Sequence, residues 1–276
     1  MNNFQRPLSF NTLFLSDIHL GDKSCKADFL LSLLNQVHCK TIYLIGDIVD
    51  LWVMSKSSIH WPANHQKVLH RLTEMANSGT EVIYVPGNHD EPLRNYVGSE
   101  LMGVELHREY IHTTADNRRL LLLHGDEFDS AIIFSPLQRL IGYCSYSLLL
   151  AINGANNRIR RWLGLPYWSL AYHIKNKVGN ARRAIETFER AAAEEARRRG
   201  FDGIVCGHIH QPEIRHYGDT LYCNDGDWLE SCTALVENHD GSLELLHWAD
   251  YQQTVKAEPA ANDAYACITS LPVRAS

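Results

Sequence analysis

Seven side chains able to hold a divalent cation stand directly behind short apolar runs. They are Asp17 and His19 in Asp-Ile-His, Asp47 in Gly-Asp, Asn88 in Gly-Asn-His-Asp, His124 in His-Gly-Asp, and His208 and His210 in Gly-His-Ile-His. Carboxylate, imidazole and amide oxygen are the donors that such metals accept. Taken singly each is a weak signal, because a lone Gly-Asp is usually a turn and a lone His usually a surface residue. As a set they carry weight. Asp-x-His and His-x-His put alternate residues on one side of an extended segment, so both can point at one ion. One ion takes only about four to six ligands, so this many donors suggests two ions sharing a carboxylate. Gly46, Gly87, Gly125 and Gly207 fit sharp turns where backbone comes close to the metals.

Elements that could position these groups are legible around them. Runs at 13–15, 41–45, 81–85, 119–123 and 203–206 have strand length, and each stops where the polar residues begin. Helical periods cover 27–37 and 66–77, the second ending at Ser78-Gly79. Strand and helix in alternation predict an α/β sheet with ligands at the carboxyl ends of its strands. Beyond residue 210 the pattern changes to antiparallel hairpins, 213–217 with 221–224 and 231–237 with 242–247. Residues 130–200 read as a helical block, long for a connection and therefore expected to serve function. Residues 251–276 lose periodicity and read as a loose tail. The expected organisation is a body over 1–250, interrupted by an insertion over about 130–200, and then the tail.

Composition bounds what remains. Hydrophobic residues make up 45% and charged residues 21% of 276, which suits a packed core and excludes bulk disorder. A formal net charge of −6 argues against a partner as polyanionic as long nucleic acid. The seven cysteines include no Cys-x-x-Cys pair, and reduced thiols in the cytoplasm are the simplest reading. No leader-like apolar segment opens the sequence, and the run at 148–152 is far short of a membrane span.

The ordered blocks Asp-x-His, Gly-Asp, Gly-Asn-His-Asp, His and Gly-His-x-His, spread over residues 17 to 210, resemble the calcineurin-like metallophosphoesterases. That resemblance implies an αββα sandwich with a helical cap insertion. It implies Asp17, His19, Asp47 and His210 on one ion and Asp47, Asn88, His124 and His208 on the other, with Asp47 bridging. Manganese is the metal it favours, with iron and zinc as alternatives. His89 would contact the phosphoryl group or protonate the leaving oxygen, with Asp90 orienting it. Two cations about 3.5–4 Å apart would lower the pKa of a shared water and offset charge on the phosphoryl oxygens.

Ser16-Asp-Ile-His-Leu-Gly, Gly46-Asp-Ile-Val-Asp-Leu-Trp, His-Gly-Asp and the insertion are similar to one branch of that family, the UDP-2,3-diacylglucosamine pyrophosphohydrolase group of lipid A biosynthesis. The similarity implies cleavage of a nucleotide-linked lipid diphosphate to UMP and a lipid phosphate. His stands at position 89 where that group usually carries Arg, and Glu127-Phe128-Asp129-Ser130 stands where it carries Thr-Asp-Asp, so the chain reads as a related subgroup. Residues 156–199 hold eleven Lys/Arg and four Asp/Glu, a local net of +7. Arg158, Arg160 and Arg161 lie beside Trp162, Leu163, Leu165, Tyr167 and Trp168, a mixture suited to an anionic membrane surface or a phosphorylated lipid, or alternatively to a helical cap whose aromatics pack on the body while its arginines face water. Placement at the inner face of the inner membrane follows as an expectation. Arg94, Asn95, Asp126, Asp129, Arg158 and Arg161 are the candidate substrate contacts, and Asn224, Asp225, Asp227 and Trp228 read as either support for the site or a turn. The alternatives are a general phosphodiesterase or nucleotide phosphatase on the same core, and a non-catalytic metal-binding scaffold. Oligomeric state is left open.

Overall fold

The structure, a computed structural model, describes residues 8–56, 59–131, 149, 152–160, 162–163, 165, 167–169 and 179–251. The expected tail beyond residue 251 and the candidate Arg161 lie outside the described residues, as does most of 132–178.

Two sheets face each other. The first has the order β12 (Leu243–His247), β11 (Thr233–Glu237), β1 (Leu8–Leu15), β2 (Val37–Ile45), β3 (Glu81–Val85), β5 (Val104–Leu106), β4 (Glu100–Leu101). The second runs β6 (Tyr110–Thr113), β7 (Arg119–Leu122), β8 (Gly203–Cys206), β10 (Thr220–Asn224), β9 (Glu213–Tyr217). β1, β2 and β3 are parallel, as are β7, β8 and β10, so their carboxyl ends share an edge within each sheet.

The strands are apolar on both faces because both faces are covered. Leu13 and Leu15 point outward to α1 (Ala27–Leu34) and α3 (Ala63–Asn77), in a core with Leu30, Leu33, Val68 and Leu72. Phe14, between them, points inward to Tyr43, Ile83, Leu122, Val205 and Leu235 in the seam between the sheets. On the far side Leu121, Ile204 and Tyr222 pack on Phe188, Ala192, Ala193 and Ala196 of α4 (Gly179–Arg198). Helix, sheet, sheet, helix is the sandwich expected.

Several boundaries differ from the sequence reading. The first helix stops at Leu34, not at residue 37, because Val37 already pairs with Leu8 as the start of β2. β1 begins five residues before the apolar run at 13–15, since Leu8–Thr12 are held by β2 pairing and not by apolarity alone. The helical block beginning near residue 130 is also two things. Residues 152–160 are helical and residue 163 is in a turn, whereas α4 is an outer layer of the body, held by its small apolar stripe.

Candidate metal centre

Each donor-bearing loop leaves the carboxyl end of a parallel strand and is stitched to its neighbour. The Asp17 and His19 amides donate to the Gly46 and Asp47 carbonyls at 3.0 and 2.8 Å, and the Gly207 amide donates to the His124 carbonyl at 3.1 Å. Asp17, His19, Asp47, His208 and His210 all have φ between 48° and 69°. Non-glycine residues adopt this left-handed region at a cost, and it recurs at sites where side chains must be aimed. Packing around them is close. A Cβ on Gly87 would overlap Asp47 Oδ1 and the His124 ring, and one on Gly207 would overlap Ser16 and Asp17. Those two glycines therefore make room for the donor side chains.

The donors converge. One donor atom each of Asp17, His19 and His210 lie within 4.8 Å of one another, and so do those of Asp17, Asp47 and His124. Asp17 Oδ1 is 3.0 Å from His210 Nε2 and 3.7 Å from His19 Nε2. Asp47 Oδ2 lies 3.3 Å from His124 Nε2 and 3.8 Å from His19 Nε2, facing both groups, while its Oδ1 accepts the His89 amide at 2.8 Å. Asn88 Oδ1 sits 3.2 Å from His124 Nε2. His208 stacks edge-on to His124 at 5.2 Å, but its Nε2 is engaged by Asp129 Oδ1 at 2.8 Å.

The outer nitrogens of the histidines are fixed. His124 Nδ1 donates to the Ile45 carbonyl at 2.9 Å and His19 Nδ1 donates to Asp50 Oδ2 at 2.8 Å, which turns each Nε2 lone pair inward. Asp17 Oδ2 accepts from Ser16 Oγ at 2.6 Å and the His208 amide at 2.9 Å. What remains is informative: Asp17 Oδ1 and His19 Nε2 are buried with no hydrogen-bond partner of acceptable geometry. Leaving such atoms unsatisfied costs about 1–3 kcal/mol each, so the donor set fits an inward-facing cation.

Electrostatics agree. Burial pushes the Asp17 carboxyl up, yet His210, His19 and His124 outweigh it and hold it well below the usual range. Burial likewise raises Asp47, and His124 and His19 more than reverse it. Burial lowers His124, but Asp47 and Asp17 lift it to about 10. His19 is also driven up against its burial, by Asp17 and Asp50. The field of the carboxylates therefore gathers positive charge at the centre of the cluster.

The carboxylate on the His89 ring is Asp50, not Asp90. His89 Nδ1 is 2.9 Å from Asp50 Oδ1, so one carboxylate holds both His19 and His89. Asp90 is instead spent on the turn: it accepts from the Gly87 amide at 2.5 Å, the Ile48 amide at 2.8 Å and the Tyr84 hydroxyl. Asp50 lay inside the Gly46–Trp52 motif just before α2 (Leu51–Lys56), where it accepts the Val53 amide at 2.8 Å, so in sequence it reads as an ordinary helix cap. Asp225 is a further buried carboxylate near the site, its Oδ1 2.5 Å from Ser16 Oγ; burial drives its acid well up. Asp227 accepts the Leu229 amide at 2.7 Å and so caps a turn, and Asn224 donates to the Gly207 carbonyl at 2.7 Å.

The candidate substrate contacts divide. Arg94 forks onto Asp126 at 2.7 and 3.0 Å and donates to the Pro86 carbonyl, joining the 3-10 segments Glu91–Tyr96 and Asp126–Ala131. Its guanidinium and Asp126 are thus engaged with each other. Asn95, Asp129 and Arg158 are exposed.

Acidic, imidazole and amide donors gathered at one edge of a two-sheet sandwich define a metal-binding α/β protein of the phosphoesterase type. Residues 10–212 match the family model described as calcineurin-like phosphoesterase, and the chain belongs to that family. Relatives named UDP-2,3-diacylglucosamine hydrolase include one from Porphyromonas gingivalis, 31% identical over 41% of this chain and 45% of that protein. One from Proteus mirabilis is 29% identical over 42% of this chain and 48% of that protein. Against these two the chain aligns over about half the length of the relative. One from Shewanella loihica is 24% identical over 87% of this chain and 98% of its own length. A phosphoesterase structure from E. coli overlays with a TM-score of 0.42 at 17% identity, covering 86% of this chain and 98% of that one.

Proposed function

We propose that this chain is a dinuclear-metal phosphoester hydrolase acting on the diphosphate of UDP-2,3-diacylglucosamine or a similar nucleotide-linked lipid. The observation that carries the reading is the inward-facing set around Asp47, with Asp17 Oδ1 and His19 Nε2 buried and unsatisfied. Asp17, His19, Asp47 and His210 would hold one cation, and Asp47, Asn88, His124 and His208 the other. Manganese suits this mixed set. When bound, the cations supply positive charge against the phosphoryl oxygens and lower the pKa of water toward neutrality. Asp47 and Asp17 set the charge of the centre, and His19 and His124 present Nε2 because Asp50 and the Ile45 carbonyl occupy Nδ1. His89, held at Nδ1 by Asp50 and partly exposed, keeps Nε2 to hand a proton to the leaving oxygen.

The names of the relatives support the lipid-linked diphosphate, and so does the surface of the insertion. Trp162 is 84% exposed there, and Ile159, Leu163 and Leu165 are exposed beside Arg158. Large exposed apolar groups among cations suit an acylated anionic substrate and the membrane that contains it. Among the described residues no helix is long and apolar enough to cross a membrane.

The test is metal content together with UMP release. Wild-type protein should carry close to two manganese ions and liberate UMP from UDP-2,3-diacylglucosamine. Asp47→Ala should lose at least one ion and more than about 100-fold in kcat. Full turnover by Asp47→Ala, or a wild type that cleaves only bis(p-nitrophenyl) phosphate, would reject the dinuclear or the lipid reading respectively.

A further inference from the structure

α2 has no buried residue, yet it carries a tryptophan. Trp52 is 40% exposed, although a side chain of that size gains most from burial. Its position is nevertheless fixed. The Trp52 amide donates to the His89 carbonyl at 3.1 Å, and Asp50, two residues earlier, grips the His89 and His19 rings. The Trp52 ring lies 5.3 Å from the His89 ring, which lies 4.7 Å from the His19 ring. Lys56, one helical turn on, places its ammonium 3.3 Å from the centre of the Trp52 ring. A metal donor, a proton donor, an aromatic face and a cation thus follow one another from the candidate centre outward.

From this arrangement we infer that Trp52 and Lys56 form the recognition site for a nucleoside diphosphate moiety, with the base on the Trp52 face and Lys56 on its phosphates. In the free protein the ammonium occupies the ring face by a cation–π contact. A flat base offers that face a larger stacking area, and the flexible lysine then moves from the ring to phosphate oxygens next to it. Among the described residues, Arg94 near the centre is engaged by Asp126, whereas Lys56 can reach phosphate by a short rotation away from the ring. The inference rests on the reading of His89 as the group that meets the leaving oxygen, and it specifies which substrates that site selects.

The test is calorimetric binding of UDP and of inorganic pyrophosphate to the manganese-loaded full chain. In Trp52→Ala the UDP affinity should fall roughly tenfold relative to that of pyrophosphate, the loss of one stacked base. Trp52→Phe, which keeps a ring, should retain most of the preference, and Trp52→Leu, which keeps only apolar bulk, should behave like alanine. Lys56→Ala should weaken UDP and pyrophosphate together, by about tenfold. An unchanged UDP-to-pyrophosphate ratio in Trp52→Ala and Trp52→Leu would overturn the inference, as would a wild type that binds UDP no better than pyrophosphate. Hydrolysis of bis(p-nitrophenyl) phosphate by the same wild-type preparation reports separately on the phosphoesterase reading.

Discussion

Asp50 performs two tasks with one carboxylate, one oxygen on each histidine. Removing its charge should therefore produce two separable defects. In Asp50→Asn, metal affinity should fall about 10–100-fold because His19 is no longer aimed. Excess metal should refill the centre, but kcat should stay depressed because His89 remains unheld. Full recovery of kcat on metal addition would remove Asp50 from the proton-donor assignment. The donors were legible as quoted motifs because their residue types are rare together and each follows a strand. Asp50 was harder to see, since a carboxylate before a short helix looks like any cap. Asp90 looked like the partner of His89 through adjacency, but it sits in the bend before a 3-10 turn and is turned inward to the Gly87 and Ile48 amides.

Between elements, a polar cluster crosses the seam of the sandwich. Glu237 on β11 accepts from Thr12 of β1 at 2.6 Å, from His112 of β6 at 2.9 Å and from the Ala115 amide at 2.7 Å. Burial raises its acid, but His112, Thr12 and Ala115 more than compensate and hold it below its ordinary 4.5. A depressed carboxylate stabilises the fold fully above its unfolded pKa and loses that contribution as pH falls through the folded value. Urea titrations of wild type and Glu237→Gln should therefore differ most above pH 4.5 and converge as the pH drops below it. A gap that is constant with pH would assign the difference to packing alone. The carboxyl-terminal parts of the central strands were readable because Leu13–Leu15, Ile42–Ile45 and Val82–Val85 are apolar runs that end in Ser-Asp, glycine or proline. β4, β5 and β6 were not, since Glu100–Leu101 and Val104–Leu106 are too short to show a period and gain their structure from pairing with each other and β3. The block at 130–200 was read as one unit on helical propensity. Propensity does not say what a helix packs on, and the alanine stripe of α4 commits it to the second sheet.

Across the whole molecule, charge is divided unevenly. The formal total is −6, while residues 156–199 hold +7. Part of that excess is neutralised locally, with Arg197 on Glu194, Arg198 on Glu195 and Arg199 on Glu109. Arg158 and Arg160 lie in the insertion near the exposed Trp162 and Leu163, with Arg160 5.9 Å from the centre of the Trp168 ring. Near an anionic surface each basic residue contributes about 1 kcal/mol, so replacing both with glutamine should lower co-sedimentation with phosphatidylglycerol vesicles about 30-fold. High salt should have a similar effect on the wild type, and equal binding to neutral vesicles would remove the electrostatic part of the argument.

β1 has its own consequence for how the chain is made. It lies between β2 and β11, with Thr12 opposite Glu237, so one of its flanks is completed only by residues near the far end of the sequence. While the polypeptide is still emerging from the ribosome, that flank presents bare amides and carbonyls on a strand rich in leucine and phenylalanine, an invitation to pair with other chains. Stalled synthesis upstream of residue 233 would therefore release a fragment whose β1 flank needs chaperone shielding, a need that pairing with β11 removes.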